Sequence, residues 1–182
     1  MTSLRNNAFL TFLLSLCLAL SACAAGRTTG ETIDDSTTAS SVKMNLLDDA
    51  VAPGASINVE VYKGTVQLIG FVRSPEQEEA AIERAKAVDG VAKVVDAMVV
   101  VPEERSFGRT VDDQTIQTKV KFDLGEVGAG EAVSVVTDVR NGEVLLGGFV
   151  NTSAQRAELE RIANGVDGVT RVHNFIGVRD EL

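Results

Sequence analysis

Alternating apolar and polar residues mark a pair of short strands at two places in the chain. In the first, the alternation runs on both sides of Lys63-Gly64, and its apolar positions are Ile57, Val59, Val61, Val66 and Leu68. In the second, it flanks Asn141-Gly142, and its apolar positions are Val133, Val135, Val139, Val144 and Leu146. Each pattern predicts a β-hairpin, and Asn-Gly in the second is a strong signal for a two-residue turn, because both of its residues tolerate positive φ.

A helix is predicted on both sides of each hairpin, because apolar residues there recur every three or four positions. Before the hairpins the recurring positions are Thr38, Val42 and Leu46 in the first copy and Ile116, Val120 and Leu124 in the second. After the hairpins they are Ala81, Ala85 and Val88 in the first copy and Leu159, Ile162, Ala163 and Val166 in the second. Each helix therefore has one side suited to packing on a sheet.

The starts of these helices have their own signals. We expect Asp112 or Asp113 to cap the helix that precedes the second hairpin. A capping box is predicted at residues 74–77, with Pro75 at the first helical position, and another at residues 152–155.

Glycines mark the helix ends and one position in each hairpin. The later helices are predicted to stop at Asp89-Gly90 and at Asp167-Gly168. Gly70 and Gly148 stand where the alternation expects an inward side chain. We expect a helix to approach the sheet closely at these two glycines.

A last apolar run predicts a third strand in each copy, from Val91 to about Val101 and from Val169 to about Val178. The order in both copies is helix, strand, strand, helix, strand. A right-handed crossover makes the last strand parallel to the second. The predicted fold class is therefore α+β, with two helices on one face of a three-stranded mixed sheet in each of two modules.

The two copies are separated by a constant 78 residues, and about 23 of roughly 70 aligned positions are identical without a gap. A period this long indicates a duplicated globular module rather than a solenoid. The predicted organisation is a signal peptide at 1–22, a short tether at 23–31, a first module at 32–101, a linker at 102–110 and a second module at 111–179.

The start of the chain is typical of an export signal. An apolar run from Ala8 to Leu20 is too short to span a membrane, which needs about 20 residues. The sequence Leu20-Ser21-Ala22-Cys23 that follows resembles the bacterial lipobox. That resemblance implies cleavage before Cys23 and lipidation of its thiol, and Ala24 after it favours the outer membrane. The alternative is an ordinary signal peptide with an incidental cysteine.

Composition excludes several classes of function. The 182 residues include 17 basic and 26 acidic ones, and the net charge of −9 argues against nucleic-acid binding. His173 is the single histidine, and the first copy has Val95 there, so we expect a surface or half-buried strand residue rather than a ligand. The carboxylates of Glu76, Glu78, Glu79 and Glu83 are expected on a solvated helix face. We predict no enzyme, no metal site and no cofactor.

The chain resembles the BON domain family through the pattern G-x-V-x-L-x-G-x-V, a helix, and D-G-V-x-x-V. The pattern starts at Gly64 and Asp89 in the first copy, and at Gly142 and Asp167 in the second. Two such modules behind a lipobox resemble dual-BON outer-membrane lipoproteins. This implies a non-enzymatic envelope protein linked to phospholipid binding, outer-membrane integrity and osmotic or envelope stress. The alternative is a structural adaptor that binds another envelope protein through its acidic helix faces.

One cluster on the first helix of the second module is a candidate lipid-binding site. Lys119, Lys121 and Phe122 lie together in an otherwise acidic protein, and Phe122 falls outside the apolar stripe of that helix. An exposed aromatic residue flanked by cations suits an anionic phospholipid surface, and the resemblance implies lipid contact by this helix. Alternatively, Phe122 packs against the first module.

Overall fold

The computed structural model describes residues 29–47, 56–102, 107–128 and 134–182. The first module contains α1 (Thr29–Leu46), β1 (Ser56–Tyr62), β2 (Thr65–Val72), α2 (Pro75–Lys86) and β3 (Lys93–Val100). The second contains α3 (Phe107–Gly128), β4 (Ser134–Arg140), β5 (Glu143–Val150), α4 (Ser153–Gly165), β6 (Arg171–Asn174), β7 (Gly177–Val178) and a final 3₁₀ turn (Arg179–Glu181). Residues Ile33–Leu182 form one compact unit.

The predicted fold class and strand order are confirmed in both modules. In the first sheet β2 lies between β1, its antiparallel partner, and β3, its parallel partner. In the second, β5 is antiparallel to β4 and parallel to both β6 and β7. The third strand of the second module is thus interrupted at Phe175 and Ile176, where the Asn174 side chain accepts a hydrogen bond from the Ile176 N–H at 3.1 Å.

The two hairpin turns are confirmed. Lys63 and Gly64 have φ values of 49° and 71°, and Asn141 and Gly142 have values of 54° and 76°. Positive φ at both central residues is the signature of a type I′ turn, which matches the twist of the flanking strands.

The prediction that Asp112 or Asp113 caps a helix is wrong, because α3 begins upstream at Phe107. Asp113 is instead buried, and its two carboxylate oxygens accept hydrogen bonds from the N–H groups of Asn141 and Gly142, both at 2.9 Å. In the first module, Asp35 binds its hairpin turn in the same way. Each turn is therefore fastened to the helix that precedes it.

Because α1 and α3 begin earlier than predicted, the tether and the linker are shorter than predicted. Residues 107–110 of the predicted linker and residues 29–31 of the predicted tether belong to α3 and α1. The capping box of α4 is confirmed, since Thr152 and Gln155 exchange both hydrogen bonds. In α2 only half of the box is present, because the Gln77 side chain accepts from the Arg73 N–H instead.

Alternate residues of the central strands build a separate core in each module. In the first, the sheet and helix residues include Val42, Leu46, Val66, Leu68, Val72, Ala81 and Ala85. In the second, they include Ile116, Val120, Leu124, Val144, Leu146, Val150, Leu159 and Ala163. These positions confirm the predicted apolar sides of all four helices. The expected helix approach at Gly148 is wrong: a Cβ there would lie 2.0 Å from the Ser134 carbonyl oxygen of the adjacent strand.

The strand residues between these core positions face the other module. Ile69, Phe71, Ala97 and Leu145 form a third buried cluster, and Val99, Val101, Val136 and Phe175 pack around it. The two sheets therefore pack against each other through their helix-free faces. The result is a sandwich of four layers, in which α1 and α2 form one outer layer and α3 and α4 form the other.

A buried glutamine adds polar bonds to this apolar interface. The Gln67 side chain is 1% exposed, donates to the Phe175 carbonyl and accepts from the Gly148 N–H, both at 2.5 Å. At the edge of the interface, the Tyr62 ring contacts the Phe149 ring and the Arg179 guanidinium group. Each polar group of the Gln67 amide thus has a partner in the second module, which fixes how the two sheets meet.

Candidate functional site

The outer side of α3 presents the predicted candidate residues to solvent. Phe122 is 67% exposed, and Lys119 and Lys121 are also exposed. Val120 and Leu124 face the sheet, and on a helix of 3.6 residues per turn the side chain midway between them points directly away. The interpretation in which Phe122 packs against the first module is therefore wrong. Below, Lys119, Lys121 and Phe122 are called the α3 patch.

Two neighbouring open grooves run along α3, with volumes of about 540 and 450 Å³. Lys119 and Asp167 line both of them. Phe122 lines the smaller groove together with Gly165, the last residue of α4, and Val166, which follows it. The geometry therefore brings Lys119 and Phe122 together, whereas Lys121 lines neither groove.

The loop after α4 forms the opposite wall, and its sequence explains why a groove remains there. Val166 turns into the core, and Gly168 has a φ of 97°. A Cβ on Gly168 would lie 3.0 Å from the Ile116 side chain. The lack of a side chain thus lets the loop run close beside α3.

The larger groove contains polar residues that the sequence reasoning missed. Arg109 and Thr115 of α3 line it, as do Asn141 of the hairpin turn and Thr170 beyond the loop. The Asn141 side-chain oxygen is buried and has no hydrogen-bond partner among the described residues. Thr115 has an identical counterpart in Thr37, but Arg109, Asn141 and Thr170 correspond to Glu31, Lys63 and Ala92 of the first copy. This difference between otherwise similar repeats was the available signal.

The electrostatics of the two grooves are mixed. Arg109 and Lys119 supply positive charge, and Asp112, Asp123 and Asp167 supply negative charge. Asp113 also lines the larger groove, but the N–H groups of the hairpin turn bind its carboxylate. Cationic groups therefore lie beside Phe122 without forming a uniformly basic surface.

His173 is half-buried, as predicted, and its Nε2 lies 2.6 Å from a carboxylate oxygen of Glu143. Its ring stacks parallel to that of Phe175, with centroids 6.5 Å apart. Among the described residues, there is no group of three or more His, Cys, Asp or Glu side chains that could hold a metal ion. Within the same residues, every helix is too short or too polar to cross a bilayer. The predicted signal peptide and Cys23 lie outside the described residues.

The profile of the BON domain matches residues 34–102 and again residues 112–180. The chain belongs to the BON domain family. Each match covers one of the two modules. In each BON module, the aspartate of the first helix, Asp35 or Asp113, accepts hydrogen bonds from the N–H groups of its hairpin turn.

Two relatives support the assignment. The BON chain is 35% identical to "Outer membrane lipoprotein DolP" of Haemophilus influenzae over 147 residues, which cover 80% of this chain and 75% of the relative. It is 34% identical to "Osmotically-inducible protein Y" of Escherichia coli over 146 residues, which cover 80% of this chain and 73% of the relative.

A solved structure of CdsD, a structural protein of the type III secretion system of Chlamydia trachomatis, is a more distant match. It shares 17% identity with a TM-score of 0.32, and the match covers 79% of this chain and 63% of that one. The chain thus spans less than two thirds of the length of that structure, and a TM-score this low adds nothing to the fold assignment.

Proposed function

We propose that this BON protein is a lipid-anchored, non-catalytic protein of the outer membrane that binds phospholipid through the α3 patch. Cys23 carries the anchor, and the modules lie on the periplasmic side. By holding the lipid surface, the protein supports outer-membrane integrity or tolerance of osmotic and envelope stress. The names of its relatives, an outer-membrane lipoprotein and an osmotically inducible protein, support this role.

The outward position of Phe122 carries the proposal. A large aromatic side chain with 67% exposure on a folded helix is poorly solvated in water. Lys119 lines the same groove, so its ammonium group can lie at lipid phosphates while the ring enters the interface. Each basic residue near an anionic surface contributes about 1 kcal/mol of attraction.

The negative net charge of the protein limits the attraction between the α3 patch and an anionic membrane to short range. The chain as a whole has a net charge of −9, which repels an anionic membrane. Binding through the α3 patch therefore requires a short-range contact rather than long-range steering. A lipid anchor would supply the proximity that a short-range contact needs, and two or more acyl chains give stable attachment.

Flotation with vesicles tests the proposal on a chain that begins at Ala24. Wild-type protein should float with vesicles that contain phosphatidylglycerol and should float less as salt is raised. Phe122→Ala and Lys119→Glu should each strongly reduce the flotation that phosphatidylglycerol adds over vesicles of phosphatidylcholine alone. Lys121→Glu should have a smaller effect, because Lys121 lines neither groove.

Lys93→Glu is the matched control, because it makes the same charge change at an exposed position of β3. It should float like wild type. All these side chains are exposed, so thermal unfolding should change little in any variant. Unchanged flotation of both Phe122→Ala and Lys119→Glu would contradict the proposal.

The alternative function is that of an adaptor for another envelope protein. The specific observation in its favour is the acidic outer face of α2, where Glu76, Glu79 and Glu83 are exposed. A basic partner surface would suit this face. An adaptor of this kind would ignore lipid composition in flotation, and charge reversal at Glu76 and Glu79 would abolish capture of the partner without changing the response to lipid.

A further inference from the structure

The first module also exposes large apolar side chains on its first helix. Met44 is 74% exposed, and Leu47, just after the end of α1, is 80% exposed. These are the two most exposed large hydrophobic residues among those that the structure describes. Lys43 beside them is exposed as well. Below, Lys43, Met44 and Leu47 are called the α1 patch.

The internal repeat relates the α1 patch to the α3 patch. With the offset of 78 residues, Met44 corresponds to Phe122, and Lys43 corresponds to an identical lysine, Lys121. The core residues Val42 and Leu46 on either side of Met44 are buried, so Met44 points away from its own sheet. Both first helices thus place a large apolar side chain and a lysine at the same outward positions.

The backbone that presents the α1 patch is held in place. The Asn45 side chain donates to the Arg84 carbonyl oxygen at 3.0 Å, and the Arg84 guanidinium group donates to the Asn45 carbonyl oxygen at 3.2 Å. These reciprocal bonds fix the end of α1 to α2. Met44 and Leu47 are therefore presented by an ordered helix end rather than by a loose segment.

The two patches face in opposite directions. The sheets pack in the middle of the sandwich, with α1 in one outer layer and α3 in the other. With layers about 10 Å apart, the axes of α1 and α3 are separated by roughly 30 Å. A flat lipid surface that contacts one patch therefore cannot reach the other.

We propose that the α1 patch is a second lipid-contact surface, so that one molecule can join two lipid surfaces. The proposal rests on the proposed function for the α3 side and adds an independent site on the opposite face. The occupant of the α1 patch is a phospholipid bilayer, because Met44 and Lys43 repeat the outward positions of Phe122 and Lys121, and Leu47 adds a second exposed apolar side chain.

The two patches differ in chemistry, and this difference predicts different lipid requirements. The first copy has Leu47 where the second has Gly125, and Ser41 where the second has Lys119. Asp48 and Asp49 also follow Leu47 in the sequence. The α1 patch is thus more apolar and less basic, and we expect it to enter zwitterionic lipid and to respond little to salt.

Clustering of two kinds of vesicle tests the proposal with the chain that begins at Ala24. One kind contains phosphatidylcholine alone, and the other also contains phosphatidylglycerol, each with its own fluorescent label. Wild-type protein should link the two kinds, as seen by energy transfer between the labels and by growth in particle size. Met44→Ser with Leu47→Ser should lose this linking and still float with the anionic vesicles.

Val111→Ser is the matched control, because Val111 is another exposed apolar residue, 48% exposed on α3 and outside both patches. It should cluster vesicles like wild type. Light scattering of the lipid-free protein should give the mass of a monomer. This measurement is needed because a dimer could link two vesicles with only one patch on each chain. Melting curves should be unchanged in both variants.

The outcomes separate this inference from the proposed function. Flotation of wild type without clustering would overturn the second surface and leave the α3 site intact. Clustering that survives Met44→Ser with Leu47→Ser, or a dimer in solution, would also overturn it. If Phe122→Ala and Lys119→Glu left flotation unchanged while the Met44 and Leu47 variant lost it, the α3 proposal would fail and the α1 surface would stand.

Discussion

Ile69 of the first module occupies the space beside Gly147 of the second, where a Cβ would lie 2.7 Å from the Ile69 side chain. The two residues are equivalent positions of the repeat, since they are 78 residues apart. The side chain of Ile69 in one copy therefore fills the space that a side chain at Gly147 of the other copy would occupy. Two identical copies could not pack in this way, because two isoleucines would collide and two glycines would leave a cavity.

Gly147→Ala should weaken the module interface. The added methyl group meets a fully buried side chain, and overpacking of this kind costs about 1–3 kcal/mol of unfolding free energy. Ile69→Ala alone should cost about 2–5 kcal/mol through the cavity that it leaves. The double variant should be less destabilised than the sum of the two. Urea unfolding of the three variants checks this, and simple additivity would show that the two residues do not share the space.

Asp113→Asn should destabilise the protein by about 2–3 kcal/mol, because it removes a charged acceptor and turns an amide donor toward a backbone N–H. Asp112→Asn is the matched control, since Asp112 is exposed on the adjacent position of α3. The control should change the urea midpoint little. Equal effects of the two substitutions would mean that the bonds from Asp113 to the hairpin turn contribute nothing to stability.

Glu78 should make stability fall as pH rises. Burial, and next the hydrogen bond and charge of Asp96, raise the pKa of the Glu78 carboxyl above its usual range. The folded state then binds more protons than the unfolded state between the unfolded pKa of about 4.3 and the higher folded pKa. Stability associated with Glu78 is therefore present below this window and is lost as pH rises through it.

Replacing this carboxyl should remove that part of the pH dependence. Glu78→Gln should raise the melting temperature at neutral pH and should flatten the fall of stability between acidic and neutral pH. Glu79→Gln, an exposed neighbour on α2, serves as the control for loss of one negative charge. Melting temperatures measured across the pH range give this pH dependence for each variant. Parallel curves for wild type and Glu78→Gln would show that the Glu78 carboxyl does not contribute to it.

Cys23→Ser should leave the precursor uncut or should release the protein from the outer membrane, because serine has no thiol to accept the lipid. Fractionation of cells that express the variant measures this. Cys17→Ser is the control, since Cys17 lies in the apolar run that the predicted cleavage would remove. If Cys23→Ser still fractionated with the outer membrane like wild type, acylation at Cys23 would not be what holds the protein there.

The fold could be predicted almost completely from the sequence, because the signals for it are local and occur twice. Asn141-Gly142 specifies its turn through backbone preference alone, and the helix sides follow from periodicity. The role of Asp113 could not be read in this way. An aspartate near a predicted helix start resembles a cap, and only the three-dimensional approach of turn and helix reveals a different partner.

The arrangement of the modules was also outside the reach of local patterns. Ile69 and Phe71 read as ordinary strand residues, and nothing in their spacing says that another sheet covers them. The same limit applied to the candidate site. Exposure of Phe122 followed from helical spacing, whereas the direction of Met44 relative to Phe122 depends on how the two sheets stack.

The stacking of the sheets has a consequence for how the chain reaches its final state. Synthesis proceeds from the N-terminus, so the first module is complete before β5 exists. During that interval the sheet face that carries Ile69, Phe71 and Ala97 is apolar and exposed to water. The second module then covers this surface as it arrives. Its arrival thus ends the interval in which this apolar surface of the first module is open to other chains.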